Sequence, residues 1–66
     1  MKLIIEELIE SSGLKKRYIA KQINVNENTI TNWINGKSYP RLDQAVKLAY
    51  ILNCEVNDLY EIKEGN

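Results

Sequence analysis

Residues 16–36 read KRYIAKQINVNENTITNWING, and the spacing of their apolar side chains decides the fold. Ile19, Ala20 and Ile23 recur at helical spacing, and Asn24 and Val25 then break the pattern. Asn26 suits the N-cap of a second short helix, with Thr29 three residues later as an imperfect capping box. Ile30, Trp33 and Ile34 share the inner face of that helix, and Gly36 permits the positive φ that ends it. The predicted helices run from 15 or 16 to 23 and from about 27 to 34 or 35. Asn24 is the best residue after Gly for left-handed backbone at the turn between them. Helices this short do not stand alone. Ile19, Ala20, Ile23, Val25, Ile30 and Trp33 are therefore expected in a core, with Ala20 small where the two helices cross.

The flanking sequence supplies partners for that core. Residues 2 to about 12 read as a first helix, with Ile5, Leu8 and Ile9 on one face and Glu6, Glu7 and Glu10 outside. Gly13 stops it, and Leu14 turns inward. Residues 36–41 form a loop around Pro40, which holds Tyr39 extended. Residues 42 or 43 to 52 read as a fourth helix with an apolar stripe of Leu42, Ala45, Val46, Ala49 and Leu52, widened by Leu48 and Ile51. Asn53 offers a left-handed stop. Residues 55 to about 61 read as a short last helix with Val56, Leu59 and Tyr60 turned inward, and residues 62–66 as a frayed tail. No strand pattern, repeat or linker competes. The expected fold class is all-α, five helices around one core, in a single domain over residues 1–66.

Composition narrows the function classes. A 66-residue chain buries only about 60% of its unfolded surface, so its stability is marginal. Apolar residues make up 44% and charged residues 27%, a globular balance. No apolar run is long enough to span a bilayer, and the acidic residues that follow Met1–Ile5 argue against a signal peptide. With one cysteine, Cys54, and no histidine, neither a disulfide framework nor a thiolate–imidazole metal site is expected. Cys54 reads as a small apolar filler in a cytoplasmic protein. Net charge is zero overall but unevenly placed. Residues 1–10 carry −2 and residues 42–66 carry −3. Residues 11–41, with Lys15, Lys16, Arg17, Lys21, Lys37 and Arg41 against Glu27, carry +5. The cations thus surround the two central helices, a footprint suited to a phosphate backbone or simply to a solvated basic face.

Two short helices about a tight turn, each with one apolar face, constitute a helix-turn-helix. The outer face of the second bears Glu27, Asn28, Thr31 and Asn32, side chains better matched to base edges than to a core. From Leu14 to Tyr60 the chain resembles the Cro/phage-repressor type of helix-turn-helix, the XRE family. The matching landmarks are Leu14, Ile19-Ala20, Ile23, Val25, Thr29-Ile30, Trp33, Asn35-Gly36-Lys37, Pro40, Leu42, Ala49, Leu52 and Asn57-Asp58-Leu59-Tyr60. The resemblance implies the lambda-repressor-like five-helix fold and sequence-specific binding to duplex DNA. Three departures from the family pattern stand out. Lys16 replaces a Gln that touches phosphate and buttresses the reading helix; it keeps the phosphate contact but is not expected to buttress in the same way. Asn24 replaces Gly. Ile9 and Ile34 replace an Arg–Glu pair, and an apolar pair in that place is often neutral or stabilising. This double replacement predicts that the first helix meets the end of the third.

Carried over by position, the resemblance makes Glu27, Asn28, Thr31 and Asn32 the base contacts. The Asn28 amide donates and accepts along one edge and so matches adenine N6 and N7. Glu27 either accepts from cytosine N4 or only favours the positive helix N-terminus. Backbone contacts fall to Lys16, Arg17, Thr29, Asn35, Lys37, Ser38 and Arg41. No Lys or Arg occurs from 27 to 34, so the expected half-sites are palindromic and A·T-rich. One reading helix covers too few base pairs, which predicts a homodimer, with Tyr50, Ile51, Val56, Tyr60 and Ile62 as its candidate surface. The expected role is a small transcriptional regulator, a repressor of phage or mobile-element type. An antitoxin or another protein-interaction module on the same fold is the alternative, and the basic middle segment argues against pure protein interaction. No nucleophile–base constellation is present, so no catalytic residue, metal, cofactor or membrane partner is expected.

Overall fold

The turn that separates the two central helices is built on Asn24, whose φ is 69°. An L-residue enters this region at a cost that Asn bears better than most. The following amide, Val25 N–H, donates to the Ala20 carbonyl at 3.0 Å and closes the helix end. The same device recurs twice. Gly36, at φ 76°, precedes Lys37, whose N–H donates to the Asn32 carbonyl at 2.9 Å. Asn53, at φ 60°, precedes Cys54, whose N–H donates to Ala49 O at 2.9 Å.

The computed structural model describes residues 2–61. In chain order it comprises β1 (Lys2–Leu3), α1 (Ile5–Ser12), α2 (Lys16–Ile23), α3 (Glu27–Ile34), α4 (Leu42–Ile51), a 3-10 turn (Val56–Leu59) and β2 (Tyr60–Glu61). The two strands pair antiparallel, Lys2 with Glu61 and Leu3 with Tyr60. The helices wrap a core of Leu3, Ile5, Ile9, Ile19, Ala20, Ile23, Ile30, Trp33, Ala45, Leu48, Ala49, Leu52 and Leu59. No polar or charged residue is buried among the described residues. Leu8, Leu14, Val25, Ile34 and Ile51 complete the cluster from its rim.

The all-α reading holds, and α2 and α3 lie where the sequence places them. Differences occur at the two ends. The first helix starts at Ile5, because residues 2–3 pair with residues 60–61 and Ile4 N–H donates to the Leu59 carbonyl at 2.8 Å. The fifth helix is a single 3-10 turn, from which the chain leaves at Tyr60 in extended backbone. Asp58 fixes that turn by accepting from Glu55 N–H at 3.0 Å. Strands two residues long carry no alternation for a sequence reading to detect. The residue Ile62, read as part of a dimer patch, lies outside the described residues.

A further difference concerns α4. Its buried side is Ala45, Leu48 and Ala49, with Leu52 just beyond the helix, as expected. Leu42 and Val46, assigned to the same stripe, are instead 76% and 51% exposed. At about 100° per residue, Leu42 and Val46 lie about 120° and 160° around the helix from Leu48, and the side that meets the core is the one that carries Leu48 and Ala45. At the other end of the core, Ile9 is buried and Ile34 half-buried in one cluster. Ile34 sits beside Leu3, Ile4, Glu6 and Glu7, and α1 packs on α3. The end of α3 therefore meets the start of α1 through apolar side chains, with no buried ion pair.

Candidate nucleic-acid interface

The start of α3 is fixed by its cap. Asn26 Oδ1 accepts from Thr29 N–H at 2.9 Å and from the Thr29 hydroxyl at 3.0 Å. Such a cap contributes about 1 kcal/mol. It also sets the angle of the first turn, which carries Glu27 and Asn28. Burial of Ile30 and Trp33 then fixes the rotation of α3 about its axis. With those two side chains inward, Glu27 and Asn28 are exposed and Thr31 and Asn32 half-exposed on the opposite side. All four expected base-contact residues thus lie on one accessible face of one helix.

Lys16 stands differently from its expected place. Its Nζ donates to Thr31 Oγ1 at 3.3 Å, and the Thr31 hydroxyl in turn donates to the Glu27 carbonyl at 3.4 Å. Lys16 therefore ties the start of α2 to the middle of α3 through its ammonium, a link that replacing Gln by Lys did not announce. The reason is reach. The long stem of a lysine lies half-buried along the seam between the helices and delivers its ammonium to the outer face. A cation does stand beside that face, supplied by α2 rather than α3. Nothing in α3 announces it, because the residues concerned lie 15 positions apart.

The other expected backbone-contact residues are spread over α2, α3 and the loop that follows α3. Arg17 is exposed on the first turn of α2, and Thr29 is half-buried in the cap of α3. Asn35, Gly36 and Lys37 are exposed at the end of α3, and Ser38 is half-exposed after them. Arg41 is separated from this group by the buried Pro40. Its backbone N–H donates to Gln44 Oε1 at 2.8 Å, and its guanidinium lies 3.4 Å from Asp43. Both partners of that ion pair are about three-quarters exposed, at 75% and 73%, so it restrains Arg41 weakly. The Asp43 partnership is missed by reading Arg41 alone.

Remaining chemistry is sparse. Burial and the nearby Asp58 carboxylate push the Cys54 thiol up from its ordinary value, away from the thiolate form that reacts. Among the described residues no cluster of His, Cys, Asp and Glu could hold a metal ion, and no helix is long and apolar enough to cross a membrane.

Comparison with known proteins adds the family to this geometry. The sequence profile of a helix-turn-helix family matches residues 5–59. The chain belongs to the XRE-type helix-turn-helix family of DNA-binding regulators. It is similar to a protein from Bacteroides fragilis provisionally assigned as DNA-binding, at 34% identity and a TM-score of 0.82. That match covers 88% of this chain and 94% of the other. It is also similar in fold to a transcriptional regulator from Listeria innocua, at 22% identity and a TM-score of 0.79, covering 100% of this chain and 67% of the other. No protein of curated function matches.

Proposed function

We propose that this member of the family is a sequence-specific repressor of phage or mobile-element type. It inserts α3 into the major groove and binds palindromic duplex DNA as a homodimer. The observation that supports this most directly is the face of α3. Glu27, Asn28, Thr31 and Asn32 share it, the core holds its rotation, and cations flank it at Lys16 and Lys37. In this reading Asn28 and Asn32 take adenine edges, the Thr31 methyl takes thymine, and Glu27 accepts from cytosine N4 or steadies the helix N-terminus. Thr31 spends its hydroxyl on Lys16 and Glu27, which leaves the methyl as its free group.

Phosphate anchoring falls to Lys16, Arg17, Thr29, Asn35, Lys37, Ser38 and Arg41. About five phosphate contacts per subunit give a salt slope near −4 to −5. Steps beneath Asn28, Thr31 and Asn32 are A·T in this reading. The chain acts in the cytoplasm as one domain, without a catalytic step or a cofactor.

Selection of bound sites from random duplex DNA at stated salt tests the proposal. Palindromic sites, A·T-rich under Asn28 and Asn32, are the expected result. No enrichment by folded protein would reject it in favour of an antitoxin or other protein-interaction module.

A further inference from the structure

Five large apolar side chains are exposed among the described residues: Tyr18, Tyr39, Leu42, Val46 and Tyr50. Three of them, Leu42, Val46 and Tyr50, are spaced four apart on α4, with exposures of 76%, 51% and 86%. At about 100° per residue they form one ridge along the helix, beside the buried stripe and separate from it. The core leaves this ridge uncovered. We propose that it is a self-docking surface, on which a second copy of the chain packs its own α4 antiparallel about a two-fold axis passing near Val46.

Charge placement identifies the occupant. Asp43 and Lys47 each follow a ridge residue by one position, so both lie on the same flank of the ridge and both are exposed. In an antiparallel pair of identical helices, a flank faces its own counterpart. With the axis near Val46, Asp43 of one copy comes level, within one turn, with Lys47 of the other, and the pair occurs twice. Leu42 then lies beside the partner's Tyr50. An apolar ridge bordered by an acid and a base four residues apart is thus complementary to itself. The Arg41 guanidinium already approaches both Asp43 oxygens at 3.4 Å. Each carboxylate oxygen retains a second lone pair for Lys47. On its other side the ridge borders Ala45 and Ala49, which belong to the buried stripe.

This surface is not the C-terminal patch expected from sequence. Ile51, Val56 and Tyr60 are half-buried against the core, and only Tyr50 is common to both. Its role in joining two half-sites rests on the proposed function; its geometry does not.

Sedimentation equilibrium of the full chain over a wide concentration range, with circular dichroism as the folding control, tests the surface. Wild type is expected to dimerise reversibly. Val46→Glu changes an exposed position and should stay folded while its dimer dissociation constant rises at least about tenfold. Lys47→Asp sets carboxylates opposite one another at two places and should weaken the dimer about tenfold. Adding Asp43→Lys to Lys47→Asp exchanges the charges and should restore dimerisation to within about twofold of wild type. A chain that stays monomeric throughout, a dimer indifferent to Val46→Glu, or a double variant no better than Lys47→Asp alone would overturn the proposal. Titration of a single half-site duplex separates the two readings. Val46→Glu should bind it like wild type, whereas a wild type that dimerises yet binds no DNA defeats the proposed function and leaves the interface standing.

Discussion

Helices α3 and α4 both bury one side against the same core, yet their outer sides are opposites. Helix α3 buries Ile30 and Trp33 and shows solvent Glu27, Asn28, Thr31 and Asn32. Helix α4 buries Ala45, Leu48 and Ala49 and shows solvent the ridge Leu42, Val46 and Tyr50. An inner side is constrained by packing density, so inner sides of helices resemble one another whatever the function. The outer side is free of that constraint and records what the helix meets. Carboxamides and a methyl-bearing hydroxyl match an edge that presents donors, acceptors and thymine methyl groups. Branched aliphatic and aromatic groups match another apolar surface. The contrast is the ground on which nucleic acid is proposed at α3 and a second copy of the chain at α4.

The contrast breaks most completely if the shared core fails. Trp33→Ala removes the largest buried side chain and should cost about 3–5 kcal/mol, close to the whole stability of a domain this size. Thermal melts should show an unfolded or barely folded chain at 25 °C, with DNA binding and self-association lost together. Asn28→Ala, by contrast, touches only the outer side of α3. It should weaken specific binding by about 1–3 kcal/mol and relax the preference at one base pair. The melting temperature should hold, and a uniform loss across all sequences would mean that Asn28 contacts phosphate instead. Asn26→Ala should lower stability by about 1 kcal/mol, read from the denaturant midpoint, because it removes both hydrogen bonds of the α3 cap.

What the sequence made legible follows the same division. The positions of α2 and α3, the left-handed turns at Asn24 and Asn53 and the cap at Asn26 are local matters, set by residues within five positions of one another. They were readable for that reason. Burial of Trp33 and Ile30 was readable because a short helix needs one apolar side. Leu42 and Val46 were misassigned because periodicity states that α4 has more apolar residues than a core side requires, but not which of them the core takes. That choice depends on where α2 and the 3-10 turn sit against α4. Pairing of residues 2–3 with 60–61 and the bridge from Lys16 to Thr31 both join positions far apart in the chain. Neither leaves a local trace. The α3 face was legible in composition and rotation; the cation beside it was not.

That cation allows the finest test of how α3 is held. Lys16→Met keeps the half-buried stem and removes only the ammonium. The lost hydrogen bond is partly solvent-accessible, so stability should fall by no more than about 1 kcal/mol. The consequence for DNA depends on what the ammonium meets. If it meets phosphate, affinity falls evenly across sequences and the salt slope shrinks by about 0.9. If it meets guanine O6/N7, one base pair of the selected site loses its preference. If its role is to position Thr31 alone, the salt slope stays at its wild-type value while thymine preference under Thr31 weakens. Lys16→Gln separates this last case from the others, because a glutamine amide can still donate to the Thr31 hydroxyl without carrying charge. Recovery of the thymine preference with Gln but not Met would assign Lys16 to positioning, and so place the rotation of α3 partly under the control of α2.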